Sequence, residues 1–85
     1  MPKSAFTDAY AGLRGDLIAL RKTHRVSQVE LARRLGKEQP FISRVERGER
    51  RLDFVELVAF IRAIGADVDV ELVRFAQRLP EKLDI

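Results

Sequence analysis

The sequence contains no cysteine and a single histidine, His24. That excludes disulfide staples, thiolate or imidazole metal clusters and any cysteine nucleophile. No apolar run approaches the ~20 residues that a membrane span needs. The longest apolar-rich stretch, 54–64, is broken by Glu56 and Arg62. The start, Met1 to Thr7, lacks the apolar core of a signal peptide. A soluble cytoplasmic protein is therefore expected, with no membrane partner. At 85 residues there is no room for a catalytic domain beside a binding domain. No glycine-rich phosphate loop or convergent carboxylate site is visible. The expectation is a non-enzyme with no metal and no cofactor.

Apolar residues make up 46% of the chain, enough to close one small core. One domain over residues 1–80, followed by a short tail at 81–85, accounts for the length. Phe6, Tyr10, Leu13, Leu17 and Leu20 recur at steps of four and three, one stripe of an amphipathic helix. Thr7 or Asp8 suits its start, and the polar run at 22–25 its end. Gly12 and Gly15 each cost this helix about 1 kcal/mol against alanine, so tertiary packing must hold it. Ser27-Gln28-Val29-Glu30 is a capping-box signature, with Glu30 placed to reach back to the Ser27 N–H. Val29, Ala32 and Leu35 then mark a buried stripe, and Gly36 stops the helix.

A third helix opens around Glu38 to Pro40, points Ile42 and Val45 inward and ends at Gly48. Asp53-Phe54-Val55-Glu56 starts a fourth, burying Phe54, Leu57, Val58, Ile61 and Ile64 before Gly65. The next segment reads two ways. Val68, Val70 and Leu72 alternate as in a strand, whereas Val68, Leu72, Phe75 and Leu79 recur as in a helix. Its length favours the helix, with Asp67 or Asp69 as cap.

Charge is unevenly spread. From Arg14 to Arg51 there are eleven basic against five acidic residues, a net of +6; from Leu52 to Ile85 four stand against seven, a net of −3. A basic half in a small helical domain suits a polyanion partner.

Residues 27–48 read SQVELARRLGKEQPFISRVERG: a capped helix, a tight glycine turn and a second short helix. Ser27, Gln28, Glu30, Leu31, Ala32, Leu35, Gly36, Gln39, Ile42, Ser43, Glu46 and Gly48 match, in order and spacing, the pattern of the phage-repressor (Xre/Cro-type) helix-turn-helix family, which the chain resembles from about Leu13 to Gly65. Two departures stand out. Arg25 occupies a turn position where the family often has glycine, and Pro40 one where a polar residue is common.

The resemblance implies an all-α, five-helix, lambda-repressor-like fold and a sequence-specific DNA-binding transcription regulator, in the repressor role. In this family the second motif helix lies in the major groove. Glu38, Gln39, Ser43 and Arg44 are then the expected base contacts. Gln28, Lys37, Arg47, Arg50 and Arg51 are the expected phosphate contacts. Phe41 is read as packing inward rather than meeting a thymine methyl. One reading helix covers few base pairs, so a homodimer on palindromic double-stranded DNA is implied. A C-terminal segment at about 66–80 is the expected dimer contact, through Val70, Val73 and Phe75 together with Phe60. Nucleoid association follows from that function. The alternatives are an antitoxin that represses its own operon and binds a toxin protein, and a restriction–modification controller.

Overall fold

The computed structural model describes residues 4–83, with side chains from residue 8 onward, so the Phe6 side chain and the last two tail residues lie outside the described part. Helix α1 (Ser4–Thr23) is followed by α2 (Gln28–Leu35), α3 (Gln39–Glu46), α4 (Phe54–Ile64) and α5 (Val68–Arg78). Among the described residues there is no strand. The segment after Gly65 is therefore a helix, capped by Asp67, whose carboxylate accepts from the Val70 N–H at 3.2 Å. Helix α1 starts at Ser4, one turn before the Thr7 or Asp8 cap read from the sequence.

Eight-residue helices such as α2 and α3 are not stable alone in water, so burial must hold them. Leu17, Val26, Leu31, Ala32, Ile42, Val45, Phe60, Ile61, Ile64 and Phe75 form one core. Helix α4 lies at its centre, packed by α1, α2 and α5, while α2 packs on α3.

Two inward stripes are rotated from those read in the sequence. In α2 the inward residues are Gln28, Leu31, Ala32 and Leu35, whereas Val29 is 66% exposed. A polar residue, Gln28, turns inward in place of Val29 and donates to the part-buried Glu46 carboxylate. In α4 the stripe runs through Leu57, Phe60, Ile61 and Ile64, and Phe54 is 66% exposed. Phe54 follows the cap directly and lies beyond the surface that the neighbouring helices cover.

The caps set where the helices begin. Asp53 and Glu56 form a complete reciprocal box. Ser27 accepts from the Glu30 N–H at 3.0 Å, but the Glu30 carboxylate does not reach back, because Arg33 and Arg34 hold it. Gly36, at φ +68, turns the chain sharply between α2 and α3. Arg25 is the other kind of turn residue, a side-chain-bearing position at φ +58. The left-handed region costs a non-glycine residue roughly 1–2 kcal/mol, partly offset by glycine's greater freedom when unfolded. Arg25→Gly should therefore stabilise the domain by about 0.5–1 kcal/mol, seen as a higher urea midpoint with unchanged m-value.

Candidate nucleic-acid interface

The site is built outward from one part-buried carboxylate. Glu46 closes α3 and meets Arg21 of α1, with side-chain exposures of 11% and 9%. Arg21 Nε donates to Glu46 Oε2 at 2.6 Å and its Nη2 donates to Oε1 at 2.9 Å. Its Nη1 donates to the Val26 carbonyl at 2.9 Å. Three donors of the guanidinium are thus committed, which is what a charge removed from water requires. Arg14, also on α1, donates from Nη1 to the Glu46 carbonyl at 2.7 Å. It lies so close to Gly48 that a Cβ there would stand 3.1 Å from Arg14 Nε. Gly48 is also at φ +81, so a side chain there would be strained and Arg14 would have to shift by a few tenths of an ångström to admit it.

The same carboxylate orients the motif's two glutamines. Gln28 Nε2 donates to Glu46 Oε1 at 2.8 Å, and Gln39 Nε2 donates to Gln28 Oε1 at 2.6 Å. Gln28 begins α2 and Gln39 begins α3, so the chain of bonds ties the starts of both motif helices to α1. Each primary amide nitrogen carries two hydrogens. Gln39 therefore keeps one N–H and its carbonyl oxygen for an external partner.

Beyond Gln39, Pro40 fills the first turn of α3, where a missing N–H is harmless. Glu38 is the N-cap but makes no side-chain cap bond and is exposed. Ser43 is half-buried and Arg44 exposed, and both are on α3. Ile42 and Val45 face the core at 0% and 2% exposure. The expected base contacts thus all belong to one short helix and its cap.

The surrounding cations are more committed than their count suggests. Arg47 makes a two-pronged pair with Glu49 at 3.0 and 3.1 Å and also donates to the Ser43 hydroxyl. Arg50 pairs both prongs with Glu56 at 2.8 Å. Hydrogen bonds from these arginines hold the Glu49 and Glu56 carboxyls below the ordinary carboxylate value. Glu30, gripped first by Arg33 and then by Arg34, is pulled down to about 2. Lys37 Nζ and Arg50 Cζ lie 5.1 and 5.0 Å from the centroid of the Phe41 ring. That ring is half-buried, 6.1 Å from Phe60. Phe41 therefore joins the core edge while carrying two cations on it. Arg51 Cζ lies 4.0 Å over the Tyr10 ring, whose hydroxyl accepts from the Leu52 N–H at 3.1 Å.

A helix-turn-helix domain model matches residues 13–75. A solved XRE-family like protein from Pseudomonas syringae pv. tomato str. DC3000 is similar, with a TM-score of 0.84 and 37% identity, over 92% of this chain and 95% of that one. No curated protein matches the sequence. This chain is an Xre-type helix-turn-helix protein.

Two residues expected at the dimer contact of this Xre-type protein are spent elsewhere. Phe60 and Phe75 are 2% and 5% exposed and belong to the monomer's core. Phe60 lies on the inward stripe of α4, and Phe75 is the buried residue of α5. Val70 and Val73 remain outside, at 47% and 56% exposure. Sequence reasoning also missed Arg14, Arg21 and Glu46 as positioning residues: the two arginines entered only a charge count, and Glu46 only that count and the motif pattern. A faint signal existed for Glu46, since it sits at a fixed place in the motif pattern. Among the described residues no helix is long and apolar enough to cross a membrane, and no cluster of His, Cys, Asp or Glu could hold a metal.

Proposed function

We propose that this Xre-type protein is a sequence-specific DNA-binding transcription regulator that represses by occupying palindromic sites as a homodimer. One observation carries the reading: the Gln39 amide is held in place by Gln28, with one N–H and one oxygen left over. Adenine presents N7 as acceptor and N6–H as donor in the major groove, which is the matching pair. Arg44, exposed on the same helix, suits the O6 and N7 acceptors of guanine. Glu38 suits a cytosine amino group. Gln28, at a helix start, and Lys37, Arg50 and Arg51 suit phosphates, which position without specifying. Val70 and Val73 supply the apolar face for the second copy.

The test begins with sequences selected from random DNA, followed by anisotropy titrations on selected and scrambled duplexes. Gln39→Ala and Arg44→Ala should each cost roughly 1–3 kcal/mol on the selected duplex and little on the scrambled one. Lys37→Ala should weaken both alike and flatten the salt dependence. Equal affinity of the unaltered protein for both duplexes would defeat the proposal.

A further inference from the structure

Ser43 differs from the other reading residues in having its oxygen already claimed. The guanidinium of Arg47, one turn further on, donates through Nη1 to Ser43 Oγ. Arg47 is in turn fixed by Glu49, which takes Nε at 3.0 Å and Nη2 at 3.1 Å. The three side chains form a strut on the outer side of α3, from Glu49, in the loop after the helix, back to Ser43 in the helix. No hydrogen bond uses the Ser43 O–H among the described residues.

A hydroxyl offers one donor and two lone pairs. A charged donor on one lone pair draws electron density from the oxygen, so the O–H becomes a better donor and the oxygen a poorer acceptor. Arg44 beside it adds a second positive charge. An exposed amino group, as on cytosine N4 or adenine N6, would bring its own positive hydrogens against this surface. Guanine brings two acceptors, N7 and O6, and thymine brings O4.

We infer that Arg47 is a positioning residue for specificity rather than a plain phosphate contact: by claiming the Ser43 oxygen it makes Ser43 read as a donor, selecting guanine or thymine over cytosine at one position of the half-site. The inference rests on the DNA-binding reading above and goes beyond it in assigning a base edge and a residue that sets it.

The experiment compares the unaltered protein with Ser43→Ala and Arg47→Met. Each is put through selection from random DNA and then titrated at matched salt. Arg47 is 55% exposed at its side chain, so the methionine variant should melt close to the parent, which circular dichroism checks. Ser43→Ala identifies the position concerned as the one whose preference it abolishes. There the parent should favour guanine or thymine over cytosine by about tenfold, the scale of one good polar contact. Arg47→Met should reduce that ratio to about twofold, leaving the positions read by Gln39 and Arg44 unchanged. If Arg47→Met instead weakens every sequence alike, flattens the salt dependence and leaves the profile intact, Arg47 is a phosphate contact and the inference is wrong. Cytosine favoured at the Ser43 position would overturn it equally. A parent that discriminates only at the Gln39 and Arg44 positions sinks this inference while leaving the DNA-binding reading standing. A parent with no preference anywhere removes both.

Discussion

Glu46→Ala should destabilise the domain by about 3–5 kcal/mol, the range for breaking a buried ion pair by removing one partner. The reason lies in what remains. Arg21 keeps its charge, its side chain is 9% exposed, and it retains one bond to the Val26 carbonyl. Gln28 Nε2 loses its acceptor at the same time. Small domains have only about 5–15 kcal/mol in total, so the variant should be marginal at room temperature. Urea denaturation followed by circular dichroism measures the loss. The paired replacement Arg21→Met with Glu46→Leu separates two roles of the cluster. Apolar residues of similar volume can replace a buried ion pair at little cost or with a gain. Stability should therefore return, but Gln28 and Gln39 would have no fixed anchor. The double variant should then fold well and discriminate DNA poorly. A double variant that reads DNA as sharply as the parent would show that the ion pair is only structural.

Phe60→Ala should cost about 3–5 kcal/mol, in the range measured for large-to-small changes at buried aromatic positions. Phe60 is 2% exposed, touches Phe41, and lies on the inward stripe of the central helix. Its loss should lower the urea midpoint by the same amount at every protein concentration. A residue buried only between two copies would behave differently, because its contribution would grow with concentration by mass action. Val70→Asp and Val73→Asp are the matching controls. Both residues are exposed on α5, so monomer stability should change by less than about 0.5 kcal/mol. Light scattering at micromolar concentration should show the parent as a dimer and these variants as smaller. A concentration-dependent Phe60→Ala would move that residue back to the interface.

The sequence made the helices legible because each carries local punctuation. Ser27, Asp53 and Asp67 accept from the backbone N–H three residues on, and Gly36 and Gly65 end their helices in the left-handed region. The motif residues were legible for the same reason, through fixed spacing along two short helices. The exact inward face was not. Val29 and Phe54 read as core by hydrophobicity alone, yet both point to solvent. In α2 the inward place goes to Gln28 because a partner 18 residues away, Glu46, requires it. No local pattern reveals a hydrogen bond of that span. The apparent freedom of the arginines misled in the same way. Arg21 lies 25 residues from Glu46, and a charge count cannot show that pairing. Phe60 and Phe75 looked surplus because the core's capacity depends on how α1, α4 and α5 close, which the chain's periodicities do not encode.

The two contacts from α1 to Glu46 have a consequence for the cost of association. Arg14 holds the backbone carbonyl of that residue and Arg21 holds its carboxylate. The far end of α3 is therefore clamped from behind, while its front end is steadied through Gln28 and Gln39. A helix of eight residues has little rigidity of its own. Here it is presented already ordered, so docking into a groove need not freeze it. The translational and rotational losses of binding remain, but the ordering loss that a floppy reading helix would add is removed beforehand. Affinity can then come from modest polar contacts.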